Sequence, residues 1–378
     1  MMYQRRGIEC HVDERTVVPS PKDATMRWFL TSLLFLGAAM NARADTYLYA
    51  SMAPEQKIQI YRLNAKDGSL TPVESIAVDG APGSLAVDPA KKFLYASLRT
   101  NSSLASFAID ANTGKLKHLS TAELPKGENA AFVGTDRSGR WLISASYAAG
   151  KVVVHELNAG KITTPAVQTV ATTMTAHAFV AAPDNRWVFV PHVTPNAVFQ
   201  FKFDAKTGQL SDAGKAAGGT PKAGPRHLAL HPAIGLAFSS DEVGSSITAY
   251  RFDEANGLKP FQTLSTLPKD FTGKNTTAEV KVHPNGKFVW VSNRGHDSLA
   301  GFAIEKLSGK LTSLGQTPTE KTPRSFEIDP DGQYVFGAGE GSGKLAVFRV
   351  DADKGTLTRI HTVDVGKSVT WVMAVKMK

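Results

Sequence analysis

Ionisable side chains stand at matched positions in four consecutive stretches of the chain, and their types suit acid–base chemistry. Carboxylates and imidazoles can accept a proton, and guanidinium groups can bind an anion through paired N–H donors. A single arginine or glutamate more often forms an ion pair between neighbouring elements. The combined pattern favours a ligand site, here called the predicted bowl, which would consist of His177, Arg226, His227, Asp241, Glu242, Glu279, Asn293, Arg294, His296 and Arg324.

The elements that must position these side chains are marked by a phrase that occurs seven times. Each copy has an aromatic or similar residue, an acidic or amide residue three positions later, and then Gly with a branched apolar residue. The copies begin 46 to 52 residues apart, at Tyr61, Phe107, His155, Phe201, Tyr250, Phe302 and Phe348. A period of this length, with short alternating strands and turn residues in each unit, is typical of a β-propeller.

A second phrase recurs in step with the first and predicts a hairpin in each unit. Between its two apolar runs stand Pro, Gly, Asn, Asp and Lys, which adopt the backbone angles that a tight turn needs. Two of its reference residues, His231 and His283, fill the turn position, so we expect them to form turn or inter-strand hydrogen bonds. The reference residues, each followed five positions later by a large apolar residue, are Asp88, Asp136, Ala182, His231, His283 and Asp329.

The hairpin phrase is complete in six units, whereas the first phrase occurs seven times. The seventh hairpin can be assembled from the two ends of the chain. Residues 369–375 have the pattern of an inner strand, and residues 47–51 have the pattern of the strand that follows it. An open ring would leave the edges of its first and last blades unpaired. The sequence therefore predicts an all-β fold, a seven-bladed β-propeller closed by pairing of its N- and C-terminal strands in one blade.

The register of the hairpins places the predicted bowl at one end of the propeller channel. Except for His296, its members stand four or five positions before a reference residue, or ten or eleven positions after it. Because the two strands of a hairpin are antiparallel, these positions lie at the same edge of the sheet. Inner strands of several blades converge at such a mouth, where propellers commonly bind ligands.

Residues 26–44 have the features of a secretory signal peptide. A positive start at Met26-Arg27 precedes an apolar core over residues 28–40, and a small-x-small cleavage site ends at Ala44. The apolar run is shorter than a transmembrane helix requires. We therefore expect a periplasmic or secreted protein, without stable membrane insertion after cleavage. A buried N-terminal helix and a retained membrane anchor are the alternatives.

This interpretation divides the chain into three parts: residues 1–25, an upstream segment that is not translated or is removed; residues 26–44; and residues 45–378, a single propeller domain. The only cysteine, Cys10, would be lost, which excludes disulfides and cysteine-based zinc sites from the mature protein. The formal net charge is +9, with lysines scattered through turns, so no nucleic-acid partner is expected. No metal or other cofactor is expected either, and the oligomeric state stays open.

Several phrases around the predicted bowl resemble the seven-bladed propeller lactonase family, which includes bacterial 6-phosphogluconolactonases and is similar to fungal carboxy-muconate cyclases. The phrases span residues 224–232, 278–286, 292–298 and 323–332, and the likeness covers residues 46–378. The resemblance implies a hydrolase that opens a sugar or sugar-acid lactone, or an anionic sugar acid as ligand. Whether the substrate is phosphorylated stays open, because a signal peptide does not suit a cytoplasmic phosphogluconolactone pathway.

The resemblance also implies roles for the predicted bowl. Lactone opening needs a base that activates water and donors that stabilise the oxyanion. Glu242 or Glu279 would be the base, with His227 as a competitor, and Arg226 would complete the catalytic set. The oxyanion could also be held by Arg294 or His177.

The remaining members of the predicted bowl would contact the substrate. They are His177, Asp241, Asn293, Arg294, His296 and Arg324. Arginines suit a carboxylate or phosphate on the substrate, since they can bind such groups through two parallel hydrogen bonds. Two other functions stay open: a muconate cycloisomerase-type cyclase, and a non-catalytic propeller that binds a ligand or a protein.

Overall fold

The computed structural model describes residues 45–377, which form seven sheets built only from strands. The predicted signal peptide and the segment before it lie outside the described residues, so both stay predictions. Within residues 45–377 no helix is long and apolar enough to cross a bilayer. The predicted all-β, seven-bladed propeller is confirmed.

Each blade is an antiparallel sheet, and in blades 2 to 7 the first strand lies nearest the central channel. Blade 1 contains β1 (Thr46–Met52), β2 (Lys57–Leu63) and β3 (Leu70–Ala77). Blade 2 contains β4 (Pro82–Val87), β5 (Phe93–Leu98), β6 (Ser103–Ile109) and β7 (Leu116–Glu123). Blade 3 contains β8 (Ala130–Thr135), β9 (Trp141–Ser146), β10 (Lys151–Asn158), β11 (Lys161–Ile162) and β12 (Gln168–Ala171). Blade 4 contains β13 (Val180–Ala181), β14 (Trp187–His192), β15 (Ala197–Asp204) and β16 (Gln209–Ala217).

The remaining blades follow the same order. Blade 5 contains β17 (Pro225–Leu230), β18 (Leu236–Asp241), β19 (Ser246–Asp253) and β20 (Gly257–Ser265). Blade 6 contains β21 (Thr276–Val282), β22 (Phe288–Arg294), β23 (Ser298–Ile304) and β24 (Leu311–Pro318). Blade 7 contains β25 (Pro323–Ile328), β26 (Tyr334–Gly339), β27 (Lys344–Val350) and β28 (Leu357–Asp364). The last strand, β29 (Trp371–Lys376), returns to blade 1.

Blade 1 is closed by both ends of the propeller, as predicted. Strand β29 pairs antiparallel with β1, in a register that runs from Thr46 opposite Lys376 to Ser51 opposite Trp371. The strand order in this sheet is β29-β1-β2-β3. The pairing removes the free edge that an open ring would expose.

The turn histidines connect neighbouring blades. His231 Nε2 donates to the carbonyl oxygen of Gly286 at 2.9 Å, and His283 Nε2 donates to that of Gly332 at 2.8 Å. Each ring also accepts backbone N–H bonds from its own turn through Nδ1. The predicted role of both residues in hydrogen bonding at the turns is confirmed, and the bonds between blades add to it.

The two repeated phrases meet where one blade packs on the next. Gly208 of blade 4 has a φ of +75°, and a Cβ built there would lie 2.6 Å from the Trp141 ring of blade 3. Gly160 of blade 3 stands in the same way against Phe93 of blade 2. The apolar core is accordingly divided into clusters between adjacent blades. Glycine is needed at these positions both for the left-handed backbone and for the close approach.

Each blade supplies one residue to each of two levels of the channel, from its inner strand or from the residues just before that strand. The deeper level, the channel ring, consists of Trp371, Ser84, Phe132, Ala178, His227, Glu279 and Ser325. The level nearer the opening, the mouth ring, consists of Thr370, Gly83, Ala131, His177, Arg226, Ala278 and Arg324. Half of these fourteen residues are small, and the titratable groups come from blades 4 to 7.

Candidate active site

A cavity of about 1010 Å³ opens at one end of the channel and is lined by every residue of the mouth ring except Ala278. We call it the mouth cavity. It contains three members of the predicted bowl, His177, Arg226 and Arg324. The charged and titratable side chains on its wall are Arg99, Glu123, Lys126, His177, Arg226, Arg324 and Glu340.

Arg226 is the central cation of the mouth cavity and is only 2% exposed. Its Nε lies 3.2 Å from Glu242 Oε2, and the other oxygen of Glu242 lies 3.2 Å from Nη2 of Arg294. One carboxylate therefore bridges two guanidinium groups from adjacent blades. Burial lowers the pKa of Arg226, as do the positive charges of Arg294 and Arg324, while Glu242 opposes this change.

His227 and Glu279 form a buried pair behind Arg226. The imidazole Nδ1 lies 2.9 Å from Glu279 Oε1, and its Nε2 lies 3.1 Å from Nη1 of Arg226. Burial, and then the charge of Arg226, hold the pKa of His227 well below its ordinary value. Burial also raises the pKa of Glu279, against the opposing charges of Lys281 and Arg226.

His227 belongs to a layer of three rings, of which Trp371 also lines the mouth cavity. The centroids of Phe132, His227 and Trp371 lie 5.6 to 5.8 Å from one another. Below the layer is a second cavity of about 260 Å³, whose wall includes His227, Glu279 and Lys281. Neither His227 nor Glu279 lines the mouth cavity, so both lie behind its wall.

His177 reaches the mouth cavity directly. Its ring stands edge-on to Tyr147, with the centroids 5.4 Å apart, and its centroid lies 5.1 Å from that of His227. Among the described residues its buried Nδ1 has no hydrogen-bond partner. Burial and the nearby charge of Arg226 hold the pKa of His177 well below its ordinary value. At neutral pH the imidazole is therefore uncharged and able to accept a proton.

Besides Arg226, two other arginines, Arg99 and Arg324, line the mouth cavity. Arg324 Nη1 lies 3.6 Å from Glu340 Oε2, whereas Arg99 has no ion pair within residues 45–377, and its buried Nε lacks a hydrogen-bond partner there. Burial and the charge of Arg324 lower the pKa of Arg99. Sequence reasoning left Arg99 out, because the start of its hairpin carries only Gly83 and Ser84. Arg99 nevertheless stands at the end of the second strand of its hairpin, in the same register as Glu242 and Arg294 in theirs. That match could have identified it.

Asp241 does not reach the mouth cavity, which corrects its expected role in the predicted bowl. Its side chain is fully buried, and burial raises its pKa to about 6. Successive residues of a strand point to opposite faces, so Glu242 reaches the arginines while Asp241 points into its own blade. There the carboxyl group accepts hydrogen bonds from the hydroxyl groups of Ser239, Ser246 and Thr248.

Asn293 and His296 are also placed away from the mouth cavity, contrary to the expectation. Asn293 is fully buried, and its amide exchanges hydrogen bonds with Thr266 inside the blade. His296 packs edge-on against Phe271, with centroids 4.9 Å apart. Arg294, next to Asn293 on the strand, points the other way and joins Glu242. Within residues 45–377 no group of three or more His, Cys, Asp or Glu is arranged to hold a metal.

Comparisons with known proteins agree with this architecture. A 6-phosphogluconolactonase of Pectobacterium carotovorum is 32% identical over 281 residues, which cover 74% of this chain and 83% of that protein. Another, from Yersinia pseudotuberculosis, is 31% identical over the same shares of both chains. Among solved structures, a protein from Lactobacillus plantarum has a TM-score of 0.80 at 26% identity, covering 88% of this chain and 99% of its own.

A periplasmic gluconolactonase of Pseudomonas aeruginosa has the same fold, with a TM-score of 0.80 at 24% identity, covering 89% of this chain and all of its own. The sequence profile described as "Lactonase, 7-bladed beta-propeller" matches residues 46–374. Since that match spans nearly the whole propeller, the chain belongs to the seven-bladed β-propeller lactonase family.

Proposed function

We propose that this protein is a hydrolase that opens a sugar lactone in the mouth cavity. The observation that carries the proposal is the pairing of an uncharged imidazole with a guanidinium group on one wall of that cavity. His177 and Arg226 come from neighbouring blades, and both line the space. The relatives named 6-phosphogluconolactonase support the same class of reaction.

His177 is the proposed general base. Its imidazole takes a proton from a water molecule, and the oxygen of that water forms a bond to the carbonyl carbon of the lactone. The negative charge that develops on the carbonyl oxygen is stabilised by Arg226, which is held in place before the reaction begins. The ring C–O bond then breaks, and the imidazolium returns the proton to the leaving oxygen. The product is the open hydroxy acid.

Glu242 supports this step without taking the proton. Because its two oxygens face Arg226 and Arg294, the carboxylate is occupied in holding both guanidinium groups. We therefore assign the base to His177, whereas the resemblance implied Glu242 or Glu279, with His227 as a competitor.

The preferred substrate carries an anionic group besides the lactone. Arg99 and Arg324 line the mouth cavity together with His177 and Arg226, and among residues 45–377 only Glu340 forms an ion pair with either of the first two. Two guanidinium groups close together bind a carboxylate or phosphate through charge-assisted hydrogen bonds. A sugar-acid lactone or a phosphorylated sugar lactone fits this cavity.

We also propose that residues 26–44 are removed and that the protein acts outside the cytoplasm. The support is the charged start, apolar core and small-x-small site of that segment. Mass spectrometry of the purified protein should find Asp45 at the N-terminus. Soluble cytoplasmic protein that retains residues 26–44 would overturn this part of the proposal.

The function is tested with purified protein beginning at Asp45 and a panel of aldonic and uronic acid lactones, with and without phosphate. Turnover is expected, and His177→Asn should lower kcat by about 10²–10⁴-fold while product binding changes little. His192→Asn is the matched control, because His192 is also buried and forms hydrogen bonds with Val190 and Thr172 away from the cavity. It should keep kcat.

Three outcomes would contradict the proposal. Binding of lactones without turnover would favour a non-catalytic propeller. Formation of a lactone from an unsaturated diacid, without hydrolysis, would favour a cyclase. Full activity of His177→Asn would place the base elsewhere in the mouth cavity.

A further inference from the structure

The buried pair of His227 and Glu279 lies too deep to meet a substrate, yet it contacts the guanidinium that does. We propose that His227, held by Glu279, is a positioning residue that fixes which nitrogen of Arg226 faces the lactone. The proposal rests on the proposed function of the mouth cavity, because it assigns a task to residues that this function leaves unused.

The hydrogen bonds of Arg226 leave one nitrogen for the cavity. Both protons of Nη1 are accounted for, one by His227 Nε2 at 3.1 Å and the other by the Ala278 carbonyl at 2.9 Å. Nε lies 3.2 Å from Glu242 as an ion pair, without the alignment of a hydrogen bond. Within residues 45–377, Nη2 has no hydrogen-bond partner, so its two N–H groups are available to the carbonyl oxygen of a lactone.

The contacts determine the tautomer of His227. A guanidinium has only donors, so the Nε2 that meets Arg226 must be the unprotonated, accepting nitrogen. Nδ1 then carries the proton and donates it to Glu279 Oε1, which also accepts the Val280 N–H at 3.1 Å. Glu279 thus holds the imidazole in the one orientation that accepts from Arg226.

This arrangement excludes His227 as the base that activates water. Its Nε2 accepts a hydrogen bond from Arg226, and its Nδ1–H donates one to Glu279. Phe132 and Trp371 pack around its ring. A group that acts only through Arg226 affects the rate by determining where the guanidinium of Arg226 lies. A displacement of about 1 Å at a catalytic group can cost roughly 10²-fold in rate.

Two substitutions separate positioning from proton transfer. His227→Leu removes the acceptor, and we expect kcat to fall by about 10- to 100-fold. His227→Gln keeps an amide oxygen that can accept from Arg226, so kcat should stay within about 5-fold of wild type. In both variants the dependence of kcat on pH should keep its wild-type shape, and added imidazole should not restore activity. Melting temperatures show whether each variant is folded.

Several results would overturn the proposal. These are a His227→Gln variant that is folded and as inactive as His227→Leu, restoration of either variant by imidazole, or a His227→Leu variant with wild-type kcat. If His227→Leu does not fold, His227→Asn replaces it, because the shorter amide does not reach Arg226.

A measurement without turnover keeps this test separate from the proposed function. In ¹⁵N spectra of the wild-type protein, the His227 signals, assigned by their loss in His227→Gln, should show a protonated Nδ1 and an unprotonated Nε2. The opposite tautomer overturns the positioning role even if the protein is a lactonase. A wild-type protein that shows this tautomer and hydrolyses no lactone refutes only the function assigned to the mouth cavity.

Discussion

At the scale of single residues, Arg226 combines nearly complete burial with access to the mouth cavity. A buried charge is costly unless it is compensated, and Glu242 supplies the compensation at 3.2 Å. The same carboxylate draws Arg294 toward the site. A cation fixed in this way needs no reorganisation when charge develops on a substrate, and away from water its effect is larger than in bulk solvent.

The state of His177 predicts how turnover depends on pH. Because burial and positive neighbours hold its pKa below the ordinary value of 6.5, kcat should fall only below that pH. Arg324→Gln removes one of these neighbours, so the acid limb should move toward higher pH. Arg349→Gln, at an exposed position of the same blade, should leave it in place.

Measuring kcat against pH at two temperatures identifies the group that titrates. Imidazole ionisation has a large enthalpy and carboxylate ionisation a small one, so the limb should move clearly with temperature. A limb that stays fixed on warming would indicate a carboxylate and contradict the role of His177.

Arg99 predicts selectivity for anionic substrates. Arg99→Met should raise KM for a lactone that carries a carboxylate or phosphate by about 10- to 100-fold, because a charge-assisted hydrogen bond contributes roughly 1.5–3 kcal/mol. The kcat of this variant for the anionic lactone, and its KM for a neutral lactone, should hardly change. Arg137→Met is the control, since that guanidinium donates to Ala181 O outside the mouth cavity. Equal losses for neutral and anionic lactones would indicate lost packing instead.

Sequence register located the mouth of the channel but not the direction of each side chain. Arg226, Arg324 and His177 were found because ionisable groups stand out from small residues at matched positions. Asp241 was included wrongly, since neighbouring residues of one strand point to opposite faces and the exact end of a strand is hard to read from sequence. Arg99 was missed because the start of its own hairpin carries only the small residues Gly83 and Ser84.

At the scale of elements, contacts between blades explain why two different phrases recur with one period. The glycine of one unit lies against the large residue of the preceding unit, as Gly208 lies against Trp141. Turn histidines add hydrogen bonds across the same boundary. Because each glycine packs on a residue of another unit, this contact between the two phrases could not be inferred from the sequence of a single unit.

Two glycines of blade 4 separate crowding from backbone strain. Gly208 and Gly214 both have positive φ, +75° and +87°, but a Cβ at Gly214 would meet nothing within 4 Å. Gly214→Ala should therefore lower the free energy of unfolding only by the strain of the left-handed backbone, about 1–2 kcal/mol. Gly208→Ala should cost about 1–3 kcal/mol more, because the added methyl group overlaps Trp141. Urea unfolding curves test this, and equal losses would show that the contact between blades is unimportant.

At the scale of the whole molecule, closure of the ring rests on the single pairing of β29 with β1. The split hairpin could be predicted because its two halves keep the repeat pattern at opposite ends of the chain. The role of Trp371 could not, because the inner strand of a split hairpin lacks the reference residue that aligns the other blades. Trp371 nevertheless belongs to both the mouth cavity and the ring layer beneath it.

Removal of residues 369–378 should destabilise the whole propeller. It would delete β29, including the buried side chains of Trp371, Val372 and Val375, and expose the inner edge of β1. Each buried side chain of this size contributes about 1.5–3 kcal/mol, so the melting temperature should fall by more than about 10 °C. A variant that lacks only Lys378 is the control. Truncated protein that melts within a degree or two of full length would contradict closure by this strand.

The mouth and channel rings have a consequence for how this scaffold can change. Every blade offers one equivalent backbone position at each level, and several are filled by small residues, such as Ala131, Ala178 and Ala278. Substitutions at these alanines alter what lines the channel, while the packing of each repeated glycine on the large residue of the preceding blade stays unchanged. Evolution or design can therefore place an acid, a base or an anion-binding group on any one of the blades without changing the framework.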